Sequence, residues 1–424
     1  MKEDFLHYIW KYKLFNTSNL STKKGIAIEI LNFGRHNTDA GPDFFNGKVK
    51  IGATIWAGNI EIHLNSSDWI KHQHQNDKVY DNVILHVVYS NDAAILDRDG
   101  NIIPTIELKD LISQKLIANH NNLVSQSGSE IPCAKQIKHV DEFTIQSWMN
   151  RLAIERLERK SSEIIQTLEH NKNDWEETFY QYLFKYFGLK VNALPFELLS
   201  KKAALKTIEK HHNLVSIEAL LFGQAGYLAE TIEDEYYLKL TKEYHFLKAK
   251  FTLNPLDKSI WKMLRMRPSN FPTLRISQVS NLLNKETRLF SKIIAAKSLK
   301  PIQELFKVEA SPYWDSHYQF GKLVKENKVK KIGDNTINSL IMNLVVPFTF
   351  VYGKQNQQEE LVDKSLQLLE NVKAESNATV KKWKQLGIKT TNAMQTQSLL
   401  ELKNNYCSQK KCLNCNIGNK ILQL

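Results

Sequence analysis

Cysteine is scarce in this chain, with four residues in 424. A protein this long with so few thiols is not built on a secreted disulfide framework. The cytoplasm is the expected compartment. Glycine and proline are also few, 16 and 10, and fall mainly between periodic segments. There is no internal repeat and no low-complexity tail. No apolar run is long enough to span a bilayer. The most apolar stretch, SLIMNLVVPFTFVY (339–352), is interrupted by Asn343 and Pro347 and reads as a buried helix. The opening MKEDFLHYIWKYKLF has acidic residues early and no apolar h-region, so no signal peptide is expected. A Walker loop and a Rossmann fingerprint are both missing, which argues against a nucleoside triphosphate as substrate. Gly223-Gln224-Ala225-Gly226 reads instead as a helix end or a close helix crossing.

What is present is an ordinary globular balance, 42% hydrophobic and 24% charged. That is enough to bury a large core, and the length suggests two or three domains. The formal net charge is +12, which points to an acidic partner. The charge is uneven. Residues 1–110 hold 12 Lys and Arg against 14 Asp and Glu, and the remainder holds 45 against 31. The basic excess therefore lies in the later part, where solvated lysine-rich helical faces would explain it equally well.

Hydrophobic periodicity divides the chain. Phe5, Ile9, Tyr12 and Phe15 recur at helical spacing. Strands are expected over 26–33, 43–51 and 54–64, with Gly52 marking the turn between the last two. Ser66-Ser67-Asp68 is an N-cap cluster for a polar helix running to about Tyr80. VILHVVY (83–89) is almost continuously apolar, as in a strand buried on both faces. Asp99-Gly100 signals a hairpin between 94–96 and 102–108. This order predicts an α/β N-terminal domain with a mixed sheet over 1–110. A connector containing Cys133 follows over 111–139, then an all-helical region over 140–400. The cysteine-containing tail, 401–424, is expected to pack back.

The chemistry concentrates in GPDFFNGKVKIGATIWAGNIEIHLNSSDW (41–69). Asp43 opens one expected strand. Glu61 and His63 lie two apart on the next and so point to one face. Acids from adjacent strands can hold Mg²⁺ or Mn²⁺, which would activate a water and steady a phosphodiester under attack. His63 is a candidate base, or a ligand that would favour Mn²⁺ over Mg²⁺. Glu29 is a possible further carboxylate. His72, His74, Asp77 and Tyr80 follow, the last three at a spacing that would share a helical face. A surface helix decorated with histidines is the plainer reading of that segment. His86, inside the buried strand, reads as a hydrogen-bonded core histidine.

This segment resembles the PD-(D/E)xK nuclease superfamily over roughly residues 1–110. Pro42-Asp43 matches its first element and Glu61-Ile62-His63 its second, with His63 where a lysine is the rule. The resemblance implies a restriction-endonuclease-like sheet and metal-dependent cleavage of DNA or RNA. Lys48 or Lys50 is then a candidate for the missing ammonium. The chain is also similar, nearly throughout, to an uncharacterised bacterial family of unknown function. The runs that carry this are GPDF, Trp56 to His63, SSDW, VILHVVY, LLFGQAGYL, RPSNFPTLR and the cysteine tail.

Cys407, Cys412 and Cys415 lie close together near the C-terminus, and with Cys133 they make four thiols. That number suits Zn²⁺ or a [4Fe–4S] cluster. Free reduced thiols are the plainer alternative. Some PD-(D/E)xK nucleases carry an iron–sulfur cluster on a similar one-plus-three arrangement. In RMRPSNFPTLRISQ (265–278), Arg265, Arg267 and Arg275 surround Phe271 and could meet phosphates and a base. Helix capping would equally account for them. Tyr313, Trp314, His317 and Tyr318 form an aromatic cluster that fits core packing or base stacking. The expected function is a metal-dependent nuclease with a basic helical nucleic-acid-binding region and no membrane partner. The alternative is a non-catalytic nucleic-acid-binding or scaffold protein.

Overall fold

The computed structural model describes residues 1–125 and 130–424. Contacts divide the chain into two compact units. One comprises Met1–Trp148 with Leu402–Leu424, and the other Met149–Glu401.

The first unit opens with helix α1 (Glu3–Lys11), which has Glu3 and Asp4 in its first turn and Lys11 in its last. These charges suit the helix dipole, and Phe5, Leu6, Ile9 and Trp10 are fully buried. Strands β1 (Ile28–Asn32), β2 (Arg35–His36), β3 (Phe44–Ile51) and β4 (Thr54–Asn65) follow, then the short helix α2 (Asp68–Lys71), β5 (Val83–Ser90) and β6 (Thr105–Glu107). The sheet order is β1-β3-β4-β5-β6, with β2 also pairing β3. β3 is antiparallel to β1 and β4, whereas β4, β5 and β6 run parallel. The mixed sheet expected from the sequence is therefore present. β5 is central with parallel neighbours, which explains its unbroken apolar run.

Two local features reset the side chains around β4. A β-bulge interrupts the β3–β4 ladder between Phe44 and Gly47, with Asn46 at φ 59°. The polar helix expected up to Tyr80 is also broken. α2 is one turn long, Gln73 takes a left-handed conformation at φ 61°, and two 3₁₀ turns follow over His74–Asn76 and Lys78–Tyr80. The serines expected to cap that helix bind Asp92 instead.

The connector is more ordered than its polarity suggests. It holds a helix, Gln114–Ser125, and a 3₁₀ turn, Ile137–His139. Its residues 126–129 lie outside the described residues.

The second unit is helical around one large apolar core. It departs from the all-helical expectation at a small ribbon, His317–Gln319 paired with Lys322–Leu323, which turns at Gly321 with φ 67°. The apolar stretch 339–352 lies in a long helix, Asp334–Gln355. This is the one helix among the described residues long and apolar enough to cross a membrane, and 72% of its most apolar window is buried inside the protein. A π-helical turn, Ile341–Val345, immediately precedes Pro347 and absorbs the hydrogen bond that the proline cannot make. At Gly223 any side chain would collide with the ring of Tyr244, 2.1 Å from an added Cβ. That is the close helix crossing read from the sequence.

Candidate metal centre

The ladder register Phe44↔Ile60 sets Asp43 directly across from Glu61. The two residues clasp each other through backbone amides. Asp43 N–H donates to Glu61 Oε2 at 3.1 Å, and Ile62 N–H donates to Asp43 Oδ2 at 2.9 Å. Glu61 Oε1 is left facing two imidazoles, His63 Nε2 at 3.6 Å and His74 Nε2 at 3.4 Å. His72 Nδ1 lies 3.1 Å from His63 Nε2. The donor atoms of His63, His72 and His74 all lie within 4.8 Å of one another.

The break after α2 makes this possible. Residues two apart on a helix point to different sides, yet the left-handed Gln73 lets His72 and His74 converge on one point. His74 is then held by stacking on Tyr80, with centroids 3.8 Å apart. Asp77 is turned outward, where it caps the second 3₁₀ turn through Val79 N–H. The expectation that His74, Asp77 and Tyr80 share a face is therefore corrected: His74 and Tyr80 meet, and Asp77 does not join them.

Behind the cluster, His63 Nδ1 is 2.8 Å from His86 Nε2. A histidine that binds metal through one nitrogen is usually fixed through the other by a hydrogen-bond partner, a place that His86 takes here. His86 is fully buried, and its Nδ1 has no hydrogen-bond partner. On the other side, His7 of α1 brings Nε2 to 3.2 Å from Asp43 Oδ2 and 3.9 Å from Glu3 Oε1. Neither His7 nor Glu3 carries a motif, and only the folded chain brings them here.

The electrostatics suit a cation. Burial first, and then the charge of Asp43, push the Glu61 carboxyl up to about 9. Burial, and then neighbouring histidines, push His63 down to about 2 and His86 down to about 3. Burial also lowers His74. For His7 burial works downward, but Asp43 outweighs it and the pKa rises. Burial thus favours neutral His63, His74 and His86, and ligating imidazoles must be neutral.

These shifts have opposite signs for stability. Glu61 binds its proton more tightly folded than unfolded, so its contribution is present at low pH and is lost as pH rises from its ordinary value through about 9. His63 binds its proton more weakly folded, so stability is lost as pH falls below 6.5 toward 2. A divalent cation bound at Glu61 would have to displace that proton. The rise in melting temperature on adding Mn²⁺ should therefore grow from pH 6 to pH 9. A rise that shrinks over that interval would count against Glu61 as a ligand.

Other expected residues lie elsewhere. Glu29 is exposed and sits opposite Lys50 on the neighbouring strand. Lys48 and Lys50 pair with Ala57 and Ile55. At about 3.3 Å per residue they stand roughly 13 and 20 Å along the sheet from Glu61. Neither can replace the lysine missing at position 63. In the second unit, Arg265 and Arg267 are exposed and Phe271 is half-buried. Arg275 is buried, bound to Gln278 and Asn270. Its helix, Pro272–Lys285, buries most of its length, so Arg275 faces inward and is no phosphate contact. The aromatic cluster packs as core, with Trp314 fully buried and His317 stacked on Tyr313.

No curated protein and no solved structure matches the chain. Residues 3–378 match the model of a family described only as a protein of unknown function.

Proposed function

Since the chain belongs to the DUF2851 family, whose description names no activity, we propose from the geometry that it is a metal-dependent phosphodiester hydrolase acting on nucleic acid. The observation that carries this reading is Glu61 Oε1, buried opposite Asp43 and facing His63 and His74. Glu61, His63, His72 and His74 would hold the ion. Three imidazoles and a carboxylate suit Mn²⁺ or Zn²⁺ better than Mg²⁺, which prefers an all-oxygen shell. Such an ion supplies an activated water and charge stabilisation.

The remaining groups have separate tasks. His63, neutral and locked by His86, serves as a ligand rather than a base. Asp43 holds the Ile62 amide and raises the pKa of His7. That makes His7 a proton donor for a leaving oxygen. The order of helix, antiparallel pair and parallel crossover, with acids at the β3–β4 junction, resembles the nuclease superfamily and supports a restriction-endonuclease-like sheet.

The bulge supports a polyanionic substrate. Along β4, Glu61, Asn59, Ala57 and Ile55 alternate to one face. The extra residue in β3 shifts the alternation, so Lys48 and Lys50 join that face. Both are exposed. They would contact backbone phosphates at a distance from the reacting one.

Two results are expected. Single- and double-stranded DNA and RNA should include a substrate cleaved with Mn²⁺ and spared with a chelator. Replacing Lys48 and Lys50 with alanine should weaken binding and flatten the slope of log affinity against log salt by up to about one per lysine. Salt-dependent binding without cleavage under any metal would favour the non-catalytic reading. Absence of both would sink the proposal.

A further inference from the structure

In the first unit all four cysteines are free, Cys133, Cys407 and Cys415 buried and Cys412 partly so. An apolar cavity of about 440 Å³ lies elsewhere in the same unit, lined by none of them. Its size is that of a small-ligand site, which takes roughly 300–1,000 Å³. One wall holds Ile26 and Ile51. The other holds Ile95, Ile102, Ile103 and Pro104, from the crossover between β5 and β6. Ile95 and Ile103 are buried and pack with Trp69 and Val83, which fixes the floor. Ile26 and Ile102 are 44% and 51% exposed. Isoleucines left in water beside a preformed hollow offer apolar area to a ligand.

The cavity also carries charge of one sign. Its lining includes Lys23 and Lys24 and no carboxylate. Both lysines stand in a tight turn. Gly25 N–H donates to the Thr22 carbonyl at 2.8 Å, and Thr22 N–H donates to the Ile26 carbonyl at 2.9 Å. The Thr22 hydroxyl accepts from Ile26 N–H at 3.2 Å, and Gly25 takes the left-handed conformation at φ 77°. Lys23 Nζ donates to the carbonyl of Asn91, another lining residue, at a long 3.4 Å. Lys24 is exposed and has no hydrogen bond or ion pair among the described residues. Asp92 follows Asn91 in the chain, but its carboxylate is taken by Ser66 and Ser67. The lysines are thus left for an anion from outside.

The two features together define the ligand. Apolar walls alone would take a neutral hydrocarbon, and two lysines alone would take phosphate. Walls that end at two ammonium groups fit a hydrocarbon chain with a negative charge at one end. A carboxylate can accept from both lysines in charge-assisted hydrogen bonds, while its tail replaces water along the isoleucines. The buried hydroxyl of the lining, on Thr105, already donates to the Ile103 carbonyl at 3.1 Å, so the interior offers a polar tail little.

We propose that this cavity binds a medium-chain aliphatic carboxylate, with its head on Lys23 and Lys24 and its tail among Ile26, Ile51, Ile95 and Ile102. None of the lining residues belongs to the histidine centre, so the proposal stands apart from the reading of that centre. The test is calorimetric titration of the full-length chain with decanoate below its micelle concentration. Saturable, stoichiometric binding is expected. Decanol has the same tail without the charge, and acetate has the charge without the tail. Each should bind at least about tenfold more weakly, as loss of a charge-assisted bond or of the apolar contact requires. Lys23→Ala combined with Lys24→Ala should weaken decanoate binding by a similar factor. Ala94→Phe, at an exposed lining position, should block entry. Both variants should keep the native circular dichroism, because all three residues are exposed. No saturable binding of decanoate, equal affinity for decanol, or unchanged binding by the double lysine variant would each overturn the proposal. So would tighter binding of an apolar peptide with a free C-terminus, which would make the ligand a chain end.

Discussion

Glu61→Ala is expected to reduce metal-dependent cleavage by at least about a thousandfold, roughly 4 kcal/mol of transition-state stabilisation. It should also abolish Mn²⁺ binding as measured by calorimetry. Among the described residues, Glu61 is the one carboxylate that meets two imidazoles of the cluster, and it does so from a buried position. Alanine removes an oxygen donor and leaves His63 and His74 facing a void. Glu61→Gln keeps the shape and the bond from Asp43 N–H, but lacks the charge. It should fold at least as well as the native chain without metal, because the neutral form is what burial favours there. Activity should still be lost. Asp43→Ala should act differently, since Asp43 holds the Ile62 amide and His7 rather than the imidazoles. It should slow turnover and move the alkaline limb of the pH profile to lower pH, because His7 loses the partner that holds its proton, while retaining much of the Mn²⁺ affinity. Equal loss of Mn²⁺ binding in both variants would return Asp43 to the role of a direct ligand.

Phe222→Ala should destabilise the second unit by about 3–5 kcal/mol, the usual cost of emptying a large aromatic site. The ring is fully buried. It stacks on Trp314 at 5.4 Å and meets Phe320 and Tyr227 at 5.1 and 6.2 Å. Its three aromatic neighbours cannot all collapse into the space it leaves. A loss of this size is a large fraction of the stability of a typical domain. It should appear as an earlier helical transition in denaturant. Leu264→Ala, at a side chain 84% exposed, should change stability by no more than about 0.5 kcal/mol. Similar transitions for the two variants would mean that the aromatic core is not the mainstay of this unit.

The strands were legible because their signals are local. The run 83–89 is apolar on both faces, and Gly52 with its flanking alternation marks the β3–β4 turn. The turn alone would set Asp43 against Ile62; the bulge brings it opposite Glu61. The bulge at Phe45–Asn46 could not be anticipated, since nothing in FFNG demands an extra residue. Lys48 and Lys50 lie well along the sheet from the acids whatever the bulge does, because the regular register sets them against Ala57 and Ile55. The histidines were named, yet their convergence depends on Gln73, a residue with little preference for the left-handed conformation it adopts. His7 had no signal, because its partner is set by how α1 meets the β3–β4 junction. Arg275 misled for the opposite reason. Its arginine-rich neighbourhood suggested a surface, while the apolar positions of its own helix turn it inward.

The membership of Leu402–Leu424 in the first unit has a consequence for biogenesis. The ribosome releases residues 1–148 long before it makes Leu402–Leu424, which belong to the same unit. At typical elongation rates of about 5–20 residues per second, residues 149–401 impose a wait of tens of seconds. Through that interval the surface destined for the helix Asn416–Gln423 stays uncovered. Completion of this unit is thereby postponed until residues 402–424 have been made. A short tag fused at the extreme C-terminus would interfere more than one placed at an exposed loop.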